Sequence, residues 1–210
     1  GYSLGSFYGY VEEGYDANGY IVYKDFNGNG SRDQGDKQII GNPNPDFTYG
    51  LTSSMSYKGF DFSVFLQGSK GNDIYNLSAQ GQGYDYGQAL NMLREVYTDH
   101  WTPTNTNAKY PIIKTNSQAQ VSDRFVEDGS FLRVKNIQLA YNLPTEKWQL
   151  NWLSSGQLYI SAQNLFTITD YSWYDPEVNS YGGTNSIEQG IDHYVYPTAK
   201  TLTFGVKASF

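Results

Sequence analysis

Apolar and polar residues alternate along much of the chain, the period of a β-strand whose two faces meet different surroundings. In TLTFGVKASF, Leu202, Phe204, Val206, Ala208 and Phe210 share one face; Thr203, Gly205, Lys207 and Ser209 share the other. In DFTYGLTSSMSY, Phe47, Tyr49, Leu51, Met55 and Tyr57 oppose Thr48, Gly50, Thr52, Ser54 and Ser56. After the two-residue turn Lys58-Gly59, FDFSVFLQGS carries Phe60, Phe62, Val64 and Leu66 on its apolar face. QLYISAQNLF sets Leu158, Ile160 and Ala162 against Tyr159, Ser161 and Gln163. SFLRVKNIQLAYNL is long enough for a strand but changes phase near Lys135, which predicts a β-bulge there. YSLGSFYGYV adds a sixth candidate. The expected strands are therefore 2–11, 47–57, 60–69, 130–142, 157–167 and 200–210.

Each of these is about ten residues, the length a tilted strand needs to cross a bilayer. The connections run 12–46, 58–59, 70–129, 143–156 and 168–199, so long and short alternate. Outer-membrane barrels sort their loops this way, short turns on the periplasmic side and long loops outside. Six strands fall short of the roughly eight that close a membrane barrel. An open edge in hydrocarbon leaves backbone groups unpaired. The pattern predicts an all-β chain: the C-terminal strands of a large antiparallel transmembrane β-barrel with long extracellular loops. The chain opens at Gly1 without a Met, so residues 1–210 are expected to be a piece of a longer product, with further barrel strands outside it.

Composition agrees with that reading. There are 20 Tyr, 11 Phe and 22 Gly, the usage of β structure with many turns. A net charge of −7 speaks against a nucleic-acid footprint, and the absence of cysteine excludes disulfides and thiolate metal sites. No segment approaches the roughly 18 apolar residues of a membrane-spanning helix, which leaves strands as the means of crossing.

Candidate chemistry is confined to the loops and the last strand. Asp25, Asn27, Asn29, Ser31, Asp33 and Asp36, with Gly30 at the sixth place, follow the D-x-[DN]-x-[DN]-G spacing of a calcium loop. Aspartate at the twelfth place departs from the EF-hand glutamate. It predicts a weak extracellular Ca²⁺ site of structural purpose, Kd around 10⁻⁴–10⁻³ M, against a plain Asn/Gly turn that binds nothing. Tyr171, Trp173, Tyr174, Asp175 and Glu177 set aromatic faces beside carboxylates, a set suited to contact with substrate or a partner protein, or to an interfacial girdle. QALNMLREVYTDHW places Ala89, Leu93, Val96, Tyr97 and His100 at helical spacing, a short helix packing on its own loop in preference to one docking a partner protein. His193 stands in a Tyr-rich stretch with no partner pattern. Thr203, Gly205, Ala208 and Phe210 resemble the assembly signal of outer-membrane barrels. No nucleophile elbow, zinc-protease helix or phosphate loop is present, and YGGTNS lacks the strand–helix setting of a nucleotide site. Glu12 and Glu13 are adjacent and point to opposite faces of a strand, so they do not act together. Catalysis is not expected.

DRFVEDGSFLRVKNIQLAYNLP (123–144), LYISAQNLFTITDYSWYDPEV (158–178) and YPTAKTLTFGVKASF (196–210) resemble the closing strands of the SusC/RagA family of TonB-dependent outer-membrane transporters. KDFNGNGSRDQGDKQIIGNPNPDFTYG and TDHWTPTNTNAKYP resemble the family's intervening segments, so the likeness runs the length of the chain. Trp173 after DYS and Arg32 in the acidic loop depart from the family's usual residues. The resemblance implies a 22-stranded barrel in a Gram-negative, Bacteroidetes-like outer membrane, with loops extracellular and the C-terminus periplasmic. It implies an N-terminal plug, coupling to TonB–ExbB–ExbD through the missing N-terminal region, and a SusD-like surface lipoprotein as lid. The implied activity is active import of oligosaccharides, or of peptides. The alternatives are a secreted, calcium-stabilised β-sandwich that binds carbohydrate, and a passive porin-like channel.

Overall fold

The computed structural model describes residues 1–84, 91–113, 119–178, 180 and 188–210. In chain order its elements are β1 (Phe7–Gly9), β2 (Glu12–Tyr15), β3 (Ile21–Tyr23), β4 (Gln38–Gly41), β5 (Phe47–Tyr57), β6 (Phe60–Lys70) and β7 (Asp73–Asn76). These are followed by α1 (Leu77–Tyr84), α2 (Arg94–Thr98), β8 (Val126–Asp128), β9 (Phe131–Asn142), β10 (Ser155–Thr169), β11 (Ile191–Asp192) and β12 (Thr201–Ser209). They fall into two compact units. One comprises Asp46–Lys70, Ser130–Asp170 and Pro197–Phe210; the other comprises Gly1–Pro45, Gly71–Gly129 and Tyr171–Tyr196.

The first unit is a five-stranded antiparallel sheet in the order β12-β10-β9-β6-β5, an up-and-down meander in which each strand pairs with its sequence neighbour in the sheet. Lys58 (φ 47°) and Gly59 (φ 86°) both take left-handed backbone, the turn whose twist matches the hairpin β5–β6. Register lines the apolar side chains up in rows across the sheet. One row is Tyr57, Phe60, Tyr141, Leu158 and Val206; the next is Met55, Phe62, Leu139, Ile160 and Phe204; the third is Ser53, Val64, Ile137, Ala162 and Leu202. At Lys135 the ladder slips: Phe65 faces Asn136, and Leu66 faces Val134. That bulge moves Lys135 out of register and returns Leu51, Leu66, Val134 and Phe166, then Leu132 and Ile168, to the same face. Much of this apolar face is exposed, Phe204 at 72% and Leu51 at 60% among the larger values.

The strand ends Phe47, Lys70, Phe131 and Thr169 lie at one end of the sheet, where the long connections leave it; the Lys58-Gly59 turn and the connection 143–154 lie at the other. The observed bounds differ from the expected strands by at most two residues for these five. The expected strand 2–11 is corrected: it contains only β1, which pairs with β4 in the second unit. Gly5 (φ 82°) turns the chain after Leu4, and beyond it Phe7 and Tyr10 are buried within the loop unit rather than set in a wall.

That second unit is assembled from the long connections. β1 pairs with β4, β2 with β3, and β7 lies between β8, antiparallel, and β11, parallel. Its core is aromatic: Phe7, Tyr75, Tyr84, Val96, Tyr110 and Phe125 pack together, with Ile74, Tyr171 and Val178 in a second cluster. The expected helix in 88–101 is α2, which buries Val96 completely and leaves Tyr97 exposed; Ala89 lies outside the described residues. His100 Nδ1 closes on the Tyr97 carbonyl at 3.0 Å, a local contact. The helix α1 was not foreseen. Gly81 and Gly83 argue against it, but the Asn76 side chain accepts from the Ala79 amide at 2.8 Å and starts it.

Candidate functional site

The sheet's second face is polar and internally bonded. Ser56 Oγ donates to Asp61 at 2.6 Å, Asn142 Nδ2 donates to the other Asp61 oxygen at 2.6 Å, and Gln157 Nε2 donates to Asn142 at 2.8 Å. Arg133 is buried on this face, donating to Thr167 at 2.9 Å and Thr198 at 3.3 Å. Apolar rows on one side and a hydrogen-bonded polar ladder on the other is the division a wall between hydrocarbon and an aqueous lumen requires.

The residues of the expected assembly signal lie on β12 and just beyond it. Thr203 and Gly205 face Ser161 and Tyr159 across the pair, and the Tyr159 ring lies directly over Gly205, where a Cβ would come within 2.2 Å of ring carbon. Lys207 Nζ sits 5.4 Å from the same ring, so Tyr159 is held between a glycine and a cation. Ala208 faces Gly156. Phe210 is exposed and stacks on Trp152, ring centroids 5.9 Å apart and 25° from parallel.

In the second unit the loop 25–36 is ordered by its own side chains. Asp25 Oδ1 accepts from the Gly28 amide at 2.7 Å and Oδ2 from Gly30 at 2.7 Å, Asn27 accepts from Asn29 at 3.0 Å, and Asn29 accepts from Ser31 at 2.7 Å. Asp33 and Asp36 form a reciprocal cap over the turn Gln34–Asp36, and Asp36, buried, also accepts from the Phe26 amide at 3.0 Å. The amide of Gly30 is the largest cause that holds the Asp25 carboxyl below the ordinary carboxylate range. Gly30, at φ 74°, makes the sharp bend of the sixth place. The donor set is all oxygen, the chemistry of a hard cation. Among the described residues, however, no three carboxylate or imidazole groups converge as a ready-made metal cluster.

The aromatic loop is divided. Tyr171 and Asp175, two residues of the expected contact set, are buried. Tyr171 donates to Asp192 at 2.6 Å, and Asp175 accepts from the Glu177 amide at 2.9 Å. Burial and the Asp192 carboxylate push the Tyr171 hydroxyl far above the usual tyrosine value. Tyr174 stays exposed at 72%, while Trp173 packs edge-on to it at 5.3 Å, half-buried against Ile74, Tyr171 and Val178. Residues 179 and 181–187, including YGGTNS, lie outside the described residues.

The chemically densest place was not foreseen. Arg124 makes a two-pronged ion pair with Glu12, donates to Tyr84 at 2.9 Å, to the Lys109 carbonyl at 2.7 Å and to Tyr15 at 3.0 Å, and lies over the Tyr15 and Tyr84 rings. Burial lowers the guanidinium to about 10, so Arg124 is charged at neutral pH. Glu13, its sequence neighbour, points to solvent, as adjacent strand residues must. Beside this pair, Lys109 and Glu95 meet at 3.0 Å and Tyr110 donates to the same carboxylate at 3.3 Å. Only a partner 112 residues away reveals Glu12, so no local pattern marks it.

No family model matches the chain. TonB-dependent receptor P3 of Formosa agariphila is 35% identical over 231 residues, covering 100% of this chain and 22% of the relative. TonB-dependent receptor SusC of Bacteroides thetaiotaomicron is 36% identical over 217 residues, covering 100% of this chain and 20% of the relative. A solved RagAB peptide transporter superposes with a TM-score of 0.82 at 24% identity, covering 98% of this chain and 22% of that one, and so shares the fold. The chain thus spans about a fifth of the length of the relatives it matches. Alternating strands, meander register and relatives agree: the chain is a SusC/RagA-like, C-terminal barrel segment of the TonB-dependent receptors, outer-membrane proteins of Gram-negative bacteria.

Proposed function

We propose that the chain contributes wall and outer loops to a TonB-dependent importer that takes up oligosaccharides. The observation that carries this is the sheet itself: five strands in sequence order, rows of mainly apolar side chains on one face, a bonded polar ladder on the other, and long connections leaving one end. Orientation follows from loop length, with the long connections extracellular and the C-terminus periplasmic. A SusD-like lipoprotein closes over the loops, and TonB–ExbB–ExbD act on a plug contributed from outside this chain. The residues here hold barrel and loops; they carry out no bond chemistry. The RagAB neighbours, described as a peptide transporter and importer, favour peptides as the second substrate class.

We further propose weak calcium binding by Asp25, Asn27, Asn29, Ser31, Asp33 and Asp36. It is supported by their spacing and by Gly30 at the bend, and its role is to stiffen a loop already closed by amide bonds. The deciding experiment for import is uptake of fluorescent oligosaccharides by cells with and without TonB, in the presence and absence of the intact receptor. Uptake that needs both supports the proposal; uptake independent of TonB makes the barrel a passive channel and overturns it.

A further inference from the structure

The connection 143–154 does not run straight out from the end of the sheet; it folds back onto the apolar face. Leu143 and Leu153 fill the space over Gly156, where a Cβ would meet them at 2.8 and 3.1 Å. Gly156 pairs with Ala208 and lies on the same face as Leu158 and Ile160, so both leucines cover the apolar side. Trp152 stacks on Phe210, the residue that continues the face of Val206 and Ala208 past the end of β12. Backbone bonds hold the bend there. Leu143 donates to Gly156 at 2.8 Å and Ser154 to Ser209 at 2.7 Å; inside the bend, Trp148 donates to Pro144 at 3.0 Å and Leu153 to Leu150 at 2.9 Å.

Leucine roots this bend on the wall, yet its indoles are left uncovered: Trp148 is 51% exposed and Trp152 65%. Two of the chain's four tryptophans therefore stand together at the end where Tyr57 is also exposed, with Lys58 Nζ 5.2 Å from its ring, and where Phe60 packs on Tyr141 at 4.7 Å. An indole has an apolar body and a single N–H donor. It is best placed where acyl chains give way to headgroups, neither in water nor deep in hydrocarbon. Glu146 and Lys147, both exposed beside Trp148, set the limit of depth, because either charge is costly in hydrocarbon and neither is among headgroups. We infer that the connection 143–154 is a membrane-interface anchor. Its leucine side rests on the wall, and its Trp148 and Trp152 lie in the headgroup zone of a glycerophospholipid leaflet. With the orientation proposed above, that is the inner leaflet. The inference takes from the wall reading only which face meets lipid and is independent of what the receptor imports.

The test uses the intact receptor in vesicles of phosphatidylcholine and phosphatidylethanolamine. This chain holds no cysteine, so Trp148→Cys and Trp152→Cys each take one nitroxide label, with any cysteine elsewhere in the receptor changed to serine. Ile137→Cys on the apolar face and Glu13→Cys in the loop unit serve as references for bilayer and water. Accessibility of each label to dissolved oxygen and to a water-soluble nickel chelate, read by power-saturation electron paramagnetic resonance, gives its depth. The labels at 148 and 152 are expected about 5–10 Å inside the headgroup level, shielded from nickel relative to position 13 and shallower than position 137. If Trp152→Cys, which loses the stack on Phe210, fails to assemble, Trp148→Cys decides alone. A label as open to nickel as the one at position 13 would mean that the bend stands in water, and would overturn the anchor. A label that neither reagent reaches would mean that protein covers the bend, and would overturn the lipid assignment. If the label at Ile137 itself reads as aqueous, the wall reading fails and the anchor with it; an Ile137 label deep in the bilayer beside aqueous labels at 148 and 152 sinks the anchor alone.

Discussion

Ile137 and Gln138 are neighbours on the central strand β9 and point to opposite faces, so arginine at each asks which face meets lipid. Ile137 pairs with Val64 and Ala162; Gln138 pairs with Ser63 and Ser161. The apolar rows on β9 run through Tyr141, Leu139, Ile137, Val134 and Leu132, which puts Ile137 in the middle row. On the paired strand β6 the same rows run from Phe60 to Gly68; four two-residue steps at about 3.4 Å per residue, tilted by about 40°, span roughly 21 Å, close to the ~25 Å apolar band of an outer-membrane barrel. Ile137 therefore sits near mid-bilayer, where arginine costs about 2–4 kcal/mol. Gln138→Arg changes little in volume and stays on the polar face, within about 0.5 kcal/mol. Guanidinium unfolding of the intact receptor in phosphatidylcholine vesicles, read by tryptophan fluorescence, measures both. Equal costs, or a larger cost at Gln138, would mean the apolar face is not the lipid face, and the wall reading would fall.

Four further outcomes follow from the same structure. Gly205→Val drives a side chain into the Tyr159 ring and should cost about 1–3 kcal/mol and lower the heat-modifiable barrel fraction, with Tyr159→Ala restoring it; deletion of Phe210 should lower assembly as well, whereas unchanged yields would remove the assembly role. Glu12→Ala leaves the buried Arg124 guanidinium without its carboxylate, an expected loss of about 3–5 kcal/mol from the loop unit, visible as faster hydrogen exchange in residues 12–15, 109–113 and 119–125, while strands β9 and β10 stay protected. Millimolar calcium should slow proteolysis within 25–36, and Asp25→Ala should abolish the effect; no calcium response in calorimetry of the intact receptor removes the metal from the account. Glu95 lies below its ordinary value of 4.5, chiefly through its hydrogen bond from Lys109, and Lys109 lies above 10.5 through the same bond. The carboxylate's contribution is present above its unfolded value and lost as pH falls through the lower folded one; the ammonium's is present below its unfolded value and lost as pH rises through the higher folded one. The pair's contribution to the stability of the loop unit should accordingly stay flat between about pH 5 and 10, and a midpoint near neutrality for that contribution would contradict the pairing.

The wall was legible because its information is local. Period-two alternation sets each face, Lys58-Gly59 sets the hairpin, and the phase change at Lys135 marks the bulge that keeps Val134 and Leu132 with Ile137. The loop unit was not, because its bonds join segments far apart in the chain: Glu12 to Arg124, and Ser78 to Asp192 across 114 residues. No period announces such pairs. The burial of Tyr171 and Asp175 was equally hidden. Their residue types suit a ligand, but Tyr171 is spent on Asp192 and Asp175 on a local turn, so only Tyr174 of the aromatic set stays well exposed. At 2–11 the alternation was real but served three residues against β4, a reminder that period alone does not tell a wall strand from a short pair in a loop.

The account's central claim is that these strands belong to the wall of a much larger receptor with a surface partner. Its most direct test is the intact mass of the polypeptide carrying this sequence, purified in detergent from the source outer membrane, with its companions identified by mass spectrometry. The account predicts a chain about five times as long as this one, in keeping with the relatives' lengths, travelling with a lipoprotein. A protein near 23.7 kDa recovered from a detergent-free soluble fraction would mean that the five strands close against something other than a barrel, and would contradict it.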